Sequence, residues 1–435
     1  MAEIQPFKGI RYNPQLASNL ERLLCPPYDV ITPEQQRELH NRSPYNVIRL
    51  ELGMSQPSDS DGANRYTRAA ALLEEWLGQG VLVSEKKAAF YLLQEEFPHL
   101  GRVRTRRSLL ARVRLEDFSR RVVIPHEETS QGPKRDRMEL LKATRANLSP
   151  IMGIYRDPSG DLSALLGRAM AGPPLVRADY GDSHIRLWAL AEEGAMEAIR
   201  GSLKDAPVFL ADGHHRYETA LLYRDIQRAR GGARDGEDGH GFVMMTLTEI
   251  SDPGLLALPY HRLVRGLSPG ELERVVALAK KTFAPISLAA KPGLDDEAAL
   301  HLMEQLEGVA RTQVALGLLE HGAEGASILA LRGSPGASSS PLERCATWVL
   351  AKRVLEPGLR SQEEAVERGI LRFTPDPQEV YRLVRGGDFQ MGFLLPPLDM
   401  DLFEEVVLSG ERMPLKSTYF TPKLPTGLVI NRLVG

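Results

Sequence analysis

Apolar residues recur along this chain with two periods, and the switches between them mark out its elements. Ile4 to Tyr12 reads as a first strand, Pro33 to His40 as a short helix after a turn at Asp29 to Thr32, and Tyr45 to Leu52, which alternates, as a strand. Beyond the loop at Ser55 to Gly62, Ala63 to Gln79 carries apolar positions at helical spacing. Ala89 to Phe97 and Val103 to Leu115 read as a hairpin across a Pro-His-Leu-Gly turn. Met138 to Ala146 is a predicted helix, Pro150 to Tyr155 and His184 to Ala189 predicted strands, and Glu192 to Gly201 a further helix. Phe242 to Thr248 is a buried strand after a Gly-rich insertion at Gly231 to Gly241.

The character changes near Gly266. Pro269 to Phe283 and Ala298 to Val309 are predicted helices, and Thr312 to Glu320 pairs with Ala326 to Arg332 around a Gly turn. A second flexible loop, Arg332 to Pro341, precedes helical Leu342 to Val354. Shorter helices follow at Gln362 to Arg368, Pro377 to Val384 and Met400 to Ser409, with a strand at Met391 to Leu395. The pattern predicts an α/β to α+β protein with a core over 1–265 and a second α+β unit over 266–435, whose C-terminal segment returns to the site of the first.

Composition excludes several classes. With 435 residues, 43% apolar and 26% charged, the chain has material for two or three domains with full cores. Its net charge of −3, from 54 basic against 57 acidic residues, argues against nucleic acid binding by phosphate neutralisation. Two cysteines, Cys25 and Cys345, build no disulfide framework, and no apolar run approaches a membrane span. A cytoplasmic protein with no membrane partner is the expectation; the oligomeric state is left open.

Chemistry concentrates where the apolar run Ala206 to Ala211 ends in Asp212-Gly213-His214-His215-Arg216 and passes into an amphipathic helix. A strand, a tight Gly turn and a helix N-terminus present backbone N–H groups and the positive end of a dipole, a setting suited to an anion. Arg216, read as a surface cation at that entry, would bind phosphate bidentately, and His214 and His215 would donate or shuttle a proton. The alternative reading makes Asp212 a helix cap and the histidines surface residues. A metal site built from Asp212, His214 and His215 is disfavoured, because adjacent imidazoles would have to meet on one ion.

Other groups qualify on the same grounds. The loop from His126 through Glu127 and Glu128 to Lys134 and Arg137 mixes carboxylates with cations, as a phosphoryl-transfer site requires. Two prolines stiffen the entry to Tyr28 and Asp29, while Lys416 to Lys423 packs cations, hydroxyls and aromatics together near the chain's end. Arg102, Arg104 and Arg106 alternate along one strand face, a common edge-strand protection. His261 beside Arg262 reads first as a satisfied core residue.

The stretch Gly213 to Glu218 resembles the sulfiredoxin signature and, more distantly, that of the ParB partition proteins, and the Asp-Gly-His-His-Arg run is closely similar in the free-serine kinases of that superfamily. Five blocks, Cys25 to Thr32, Pro125 to Arg137, the Asp212 block, Leu258 to Val264 and Met413 to Leu433, resemble the prokaryotic domain-of-unknown-function family 1015. The resemblance implies a ParB/sulfiredoxin-like core whose turn cradles nucleotide phosphates. His214 stands where sulfiredoxin has its reactive cysteine, so thiol redox chemistry does not carry over. The expectation is a kinase using ATP or ADP with Mg2+ on a small hydroxylated metabolite, with free serine as the acceptor the resemblance suggests. A phosphoester hydrolase and a non-catalytic nucleotide sensor are the alternatives. Asp212, Gly213, His214, His215, Arg216, Lys134, Arg137 and Lys416 are the candidate nucleotide-binding residues; Asp29, Glu51, Glu127, His214 and His215 are the catalytic candidates.

Overall fold

The computed structural model describes residues 2–433 apart from 16–18, 100, 128–131, 232–238, 287–295, 334–335, 337–339, 360 and 415. Glu128 and most of the two loops expected to be flexible therefore lie outside the described residues. The chain forms two units, one from Met1–Leu255 with Pro422–Gly435 and the other from Leu256–Thr421.

Among the described residues, the first unit is built on a nine-stranded mixed sheet. Its strands are β1 (Ile4–Gln5), β2 (Phe90–His99), β3 (Arg102–Arg114), β4 (Val123–Pro125), β5 (Ile151–Tyr155), β6 (Val176–Tyr180), β7 (Ser183–Leu190), β8 (Val208–Asp212) and β9 (Phe242–Glu249). They run in the order β4-β8-β5-β9-β3-β2-β7-β6, with β1 added against β3. Most neighbours are antiparallel, but β8 runs parallel to β4 and β9 parallel to β5. The central strands are apolar without alternation because both faces are covered. Phe90 and Leu92 face one core with Leu109 and Val113, while Tyr91 and Leu93 face another with Leu110.

Helices cover the two faces: α1 (Pro33–Arg42), α2 (Ile48–Glu51), α3 (Arg65–Gly78), α4 (Gly132–Thr144), α5 (Asp161–Ala169), α6 (Glu193–Leu203) and α7 (His214–Ala229). Ala69, Leu73 and Trp76 of α3 pack into one core, and Tyr217 and Ala220 of α7 into the other. The strand expected at Tyr45 to Leu52 is instead a turn leading into α2. Asn46 is the reason: its amide donates to the carbonyls of Arg22 and Leu24 while its oxygen accepts from Ile48 N, closing the backbone locally.

The end of the chain belongs to this unit. Ile10 and Ile430 form a bridge, Asn431–Arg432 pair with Ala146–Asn147, and Val429 and Ile430 are buried in the same core as Trp76. β9 pairs with β3 only from Ser108 onward, so Arg102, Arg104 and Arg106 stand on the stretch paired by β2; Arg106 turns inward there, its side chain 3% exposed, rather than guarding a surface.

The second unit has, among the described residues, a six-stranded sheet of β10 (His261–Val264), β11 (Phe283–Pro285), β12 (Ala315–Glu320), β13 (Ser327–Leu331), β14 (Leu371–Thr374) and β15 (Met391–Leu394), in the order β11-β13-β12-β15-β10-β14. Helix α8 (Pro269–Thr282) starts where the sequence says it must: Ser268 caps it, Pro269 fits the first turn, and Glu271 closes a capping box. His261 and Arg262 are buried, His261 Nδ1 accepting from Leu395 N at 3.1 Å and Arg262 lying over the Phe373 ring. No helix among the described residues is long and apolar enough to cross a membrane.

Candidate functional site

The apolar run before Asp212 forms β8, whose pairing with β5 shifts register between Leu210 and Asp212. The bulge places Ala211 as the extra residue and re-aims Asp212 at the strand's C-terminal end. Gly213 follows at φ 88°, a left-handed conformation that a side chain resists, and α7 begins at once. A Cβ on Gly213 would also lie 3.0 Å from an Nη of Arg216, because that guanidinium folds back beneath the turn.

Arg216 is thus not a surface cation. Its side chain is only 12% exposed; one Nη donates to Ser149 Oγ at 3.0 Å and to Pro150 O at 2.8 Å, and the other to Asp212 Oδ2 at 2.9 Å. The second Asp212 oxygen accepts from Lys423 Nζ at 2.9 Å, and the same ammonium pairs with Asp29. Lys423 is 12% exposed, against 26% for Asp212 and 37% for Asp29. Burial would raise the Asp212 carboxyl, but Lys423 and Arg216 outweigh it and hold the group at about 2. Burial works against the Lys423 ammonium, yet Asp212 and Asp29 push its pKa above the ordinary value.

A second ion pair lies beneath. Arg137 donates to Glu51 Oε1 at 3.0 Å and to the Glu51 carbonyl, binds Asp136 with its other nitrogens, and stacks 4.0 Å from the centre of the Tyr28 ring. Ser149 Oγ reaches Glu51 Oε1 at 3.3 Å and so links this pair to Arg216. A cavity of about 50 Å³ lies among Glu51, Arg137, Ser149, Arg216 and apolar residues of α4, space enough for ordered water beside polar partners.

The parallel strands β4 and β8 end side by side, which brings His126 to His214 with ring centroids 4.8 Å apart. His126 is buried, and because a carbonyl only accepts, its Nδ1–H donates to Leu210 O at 2.7 Å.

Of the sequence candidates, Asp29, Glu51, Arg137, Asp212 and Arg216 belong to one connected network. Gly213 forms the turn, His214 and His215 the first turn of α7, and Glu127 stands half-buried just past β4. Lys134 of α4 pairs with Glu218 of α7. Lys416 belongs to the second unit, where it lies 5.1 Å from the centre of the Tyr260 ring. Lys423 and His126 were named only as parts of wider polar stretches and not as site residues, and Ser149 was not named at all. The Pro422-Lys423 pair was the available signal for the first; for Ser149, a hydroxyl beside a proline, there was none.

The donor set of Lys423 and the opening turn of α7 suits a phosphate. Magnesium is different: Lys423 already stands between Asp29 and Asp212, where a cation bridging two carboxylates would lie. Among the described residues no group of three or more His, Cys, Asp or Glu could hold a metal.

Residues 4–336 match a family described as protein of unknown function, DUF1015. No curated protein matches the chain. Solved structures similar to it include a conserved hypothetical protein from Pyrococcus furiosus, at 15% identity and TM-score 0.36, covering 75% of this chain and 97% of that one. A free serine kinase in complex with AMP has 14% identity and TM-score 0.37, covering 75% and 91%. SbnI with a C-terminal truncation, from Staphylococcus aureus, has 12% identity and TM-score 0.36, covering 74% and 87%.

Proposed function

The chain belongs to the DUF1015 family, and we propose that it is a nucleotide-dependent phosphotransferase acting on a hydroxyl of a small metabolite. The observation that carries the reading is the convergence, at the start of a 16-residue helix, of a left-handed Gly turn, a nearly buried lysine from the far end of the chain, and the carboxylate of Asp29. Phosphoryl transfer needs positioning and charge neutralisation more than covalent chemistry.

Lys423 and the positive end of α7 neutralise the phosphates of ATP or ADP. Arg216 keeps a different task from the one expected: it clamps Asp212, Ser149 and Pro150, and so fixes the turn. Asp29, the most exposed carboxylate of the network, takes the hydroxyl proton once Lys423 moves to the phosphate. Glu51 is buried against Arg137 and supports the site from below. Mg2+ is assigned to the phosphates of the nucleotide rather than to a pair of protein carboxylates. Free serine is the acceptor that the Asp212 to Arg216 resemblance implies.

The test is a calorimetric titration with ATP and ADP, with and without Mg2+, followed by phosphate-transfer assays with serine and other hydroxylated metabolites. Turnover requiring an acceptor supports the kinase. Nucleotide hydrolysis without one indicates a phosphoester hydrolase, and binding without turnover a nucleotide sensor.

A further inference from the structure

The network that holds Lys423 begins outside the candidate site. Arg106 of β3 and Glu95 of β2 form a buried ion pair, with Arg106 Nε and Nη2 on Glu95 Oε2 at 2.9 and 2.6 Å and side chains 3% and 1% exposed. A buried pair is a weak means of stabilising a sheet, since an apolar pair of similar volume does as well. This one does something an apolar pair cannot: Arg106 Nη2 also donates to the carbonyl of Pro422 at 2.6 Å.

Pro422 is where the chain re-enters the first unit, and Lys423 is the next residue. Proline has no N–H, so its carbonyl is the backbone handle available at that point. The outgoing segment is fixed to the same place. Asp252 accepts from Arg107 N at 3.2 Å and from Gly254 N at 2.9 Å, and Gly254 packs so closely on β3 that a Cβ would lie 2.4 Å from Arg106 N. Both ends of the excursion are therefore anchored on Arg106 and Arg107.

We infer that Arg106, held by Glu95, is a positioning residue of the candidate site: by fixing the Pro422 carbonyl it sets the Lys423 ammonium between Asp29 and Asp212. The inference rests on the reading of Lys423 as a phosphate ligand.

The experiment is a double-mutant cycle on the full chain, with Mg-ADP and pyrophosphate as probes. Lys423→Met weakens binding of both roughly tenfold or more, as loss of a charge-assisted contact does. Arg106→Gln weakens it by a smaller factor, about fivefold, and adds nothing in the Lys423→Met background. Arg106→Lys, which keeps the charge and one donor, recovers part of the loss. It carries the same comparison if Arg106→Gln does not fold. Hydrogen exchange at the Lys423 and Leu424 amides quickens in the Arg106 variants while the β8 amides stay protected. Unchanged affinity in Lys423→Met overturns the phosphate reading itself. Weakened binding in Lys423→Met with no effect of the Arg106 variants, or with fully additive effects, overturns the positioning role alone.

Discussion

Arg216 shows how much a side chain's role depends on what lies beneath it. Removing it leaves Asp212 facing Lys423 alone and strips Ser149 and the Pro150 carbonyl of a donor. Arg216→Ala should therefore cost roughly 2–4 kcal/mol of stability, below the top of the range for a fully buried pair because Lys423 remains. Urea unfolding of the variant checks this; a loss under about 0.5 kcal/mol, usual for a surface residue, would count against the clamp. Gly213→Ala should cost about 1–2 kcal/mol, since φ 88° is left-handed and the new methyl group would press on the guanidinium. Acid should act on the same cluster. The Asp212 carboxyl is held at about 2, below its ordinary 3.8, so the stability it supplies is present above pH 3.8 and drains away as pH falls through 2. Denaturation between pH 5 and 2 should show a shallower acid loss in Asp212→Asn. The sequence displayed Asp212, Gly213 and Arg216 together because the turn is local. Their partners were hidden because Lys423 and Ser149 come from elsewhere in the chain.

Elements with one strong period were legible, and those decided by a single side chain were not. The hairpin of β2 and β3 and helices α7 and α8 all follow from their apolar patterns, whereas α2 follows from Asn46, whose local bonds override an alternating sequence. His261 on β10 illustrates an element with a titrating weak point. Burial, reinforced by Arg262, depresses its imidazole from the ordinary 6.5 to about 3. The unfolded chain takes up that proton first, so stability is full above about pH 6.5 and declines as pH falls toward 3. His261→Gln should flatten that slope between pH 6.5 and 4 in chemical denaturation, whatever its cost at neutral pH. An unchanged slope would place the titration elsewhere.

At the scale of the molecule, the first unit is closed by residues that arrive last. Thr426, Val429, Ile430 and Asn431 are buried in it, so ending the chain at Thr421 removes both core and Lys423. Such a truncation should abolish cooperative melting of the first unit, measured by calorimetry. A preserved transition would mean the segment is dispensable. The units divide after Leu255, and Pro422–Gly435 rejoins the first; the path of that return was hidden in the sequence, because bridges such as Ile10 with Ile430 join positions with no shared local signal. The most direct measurement is calorimetric titration of Mg-ATP and Mg-ADP into the wild-type chain and into Lys423→Met, with thermal melting of both proteins alongside. Saturable binding by the wild type, worth about 2.7 kcal/mol of added stability at 100 times the dissociation constant, and at least roughly tenfold weaker binding by a folded Lys423→Met, is the expected result. No nucleotide binding by the wild type, or equal affinity in both proteins, would contradict a phosphate site at the start of α7.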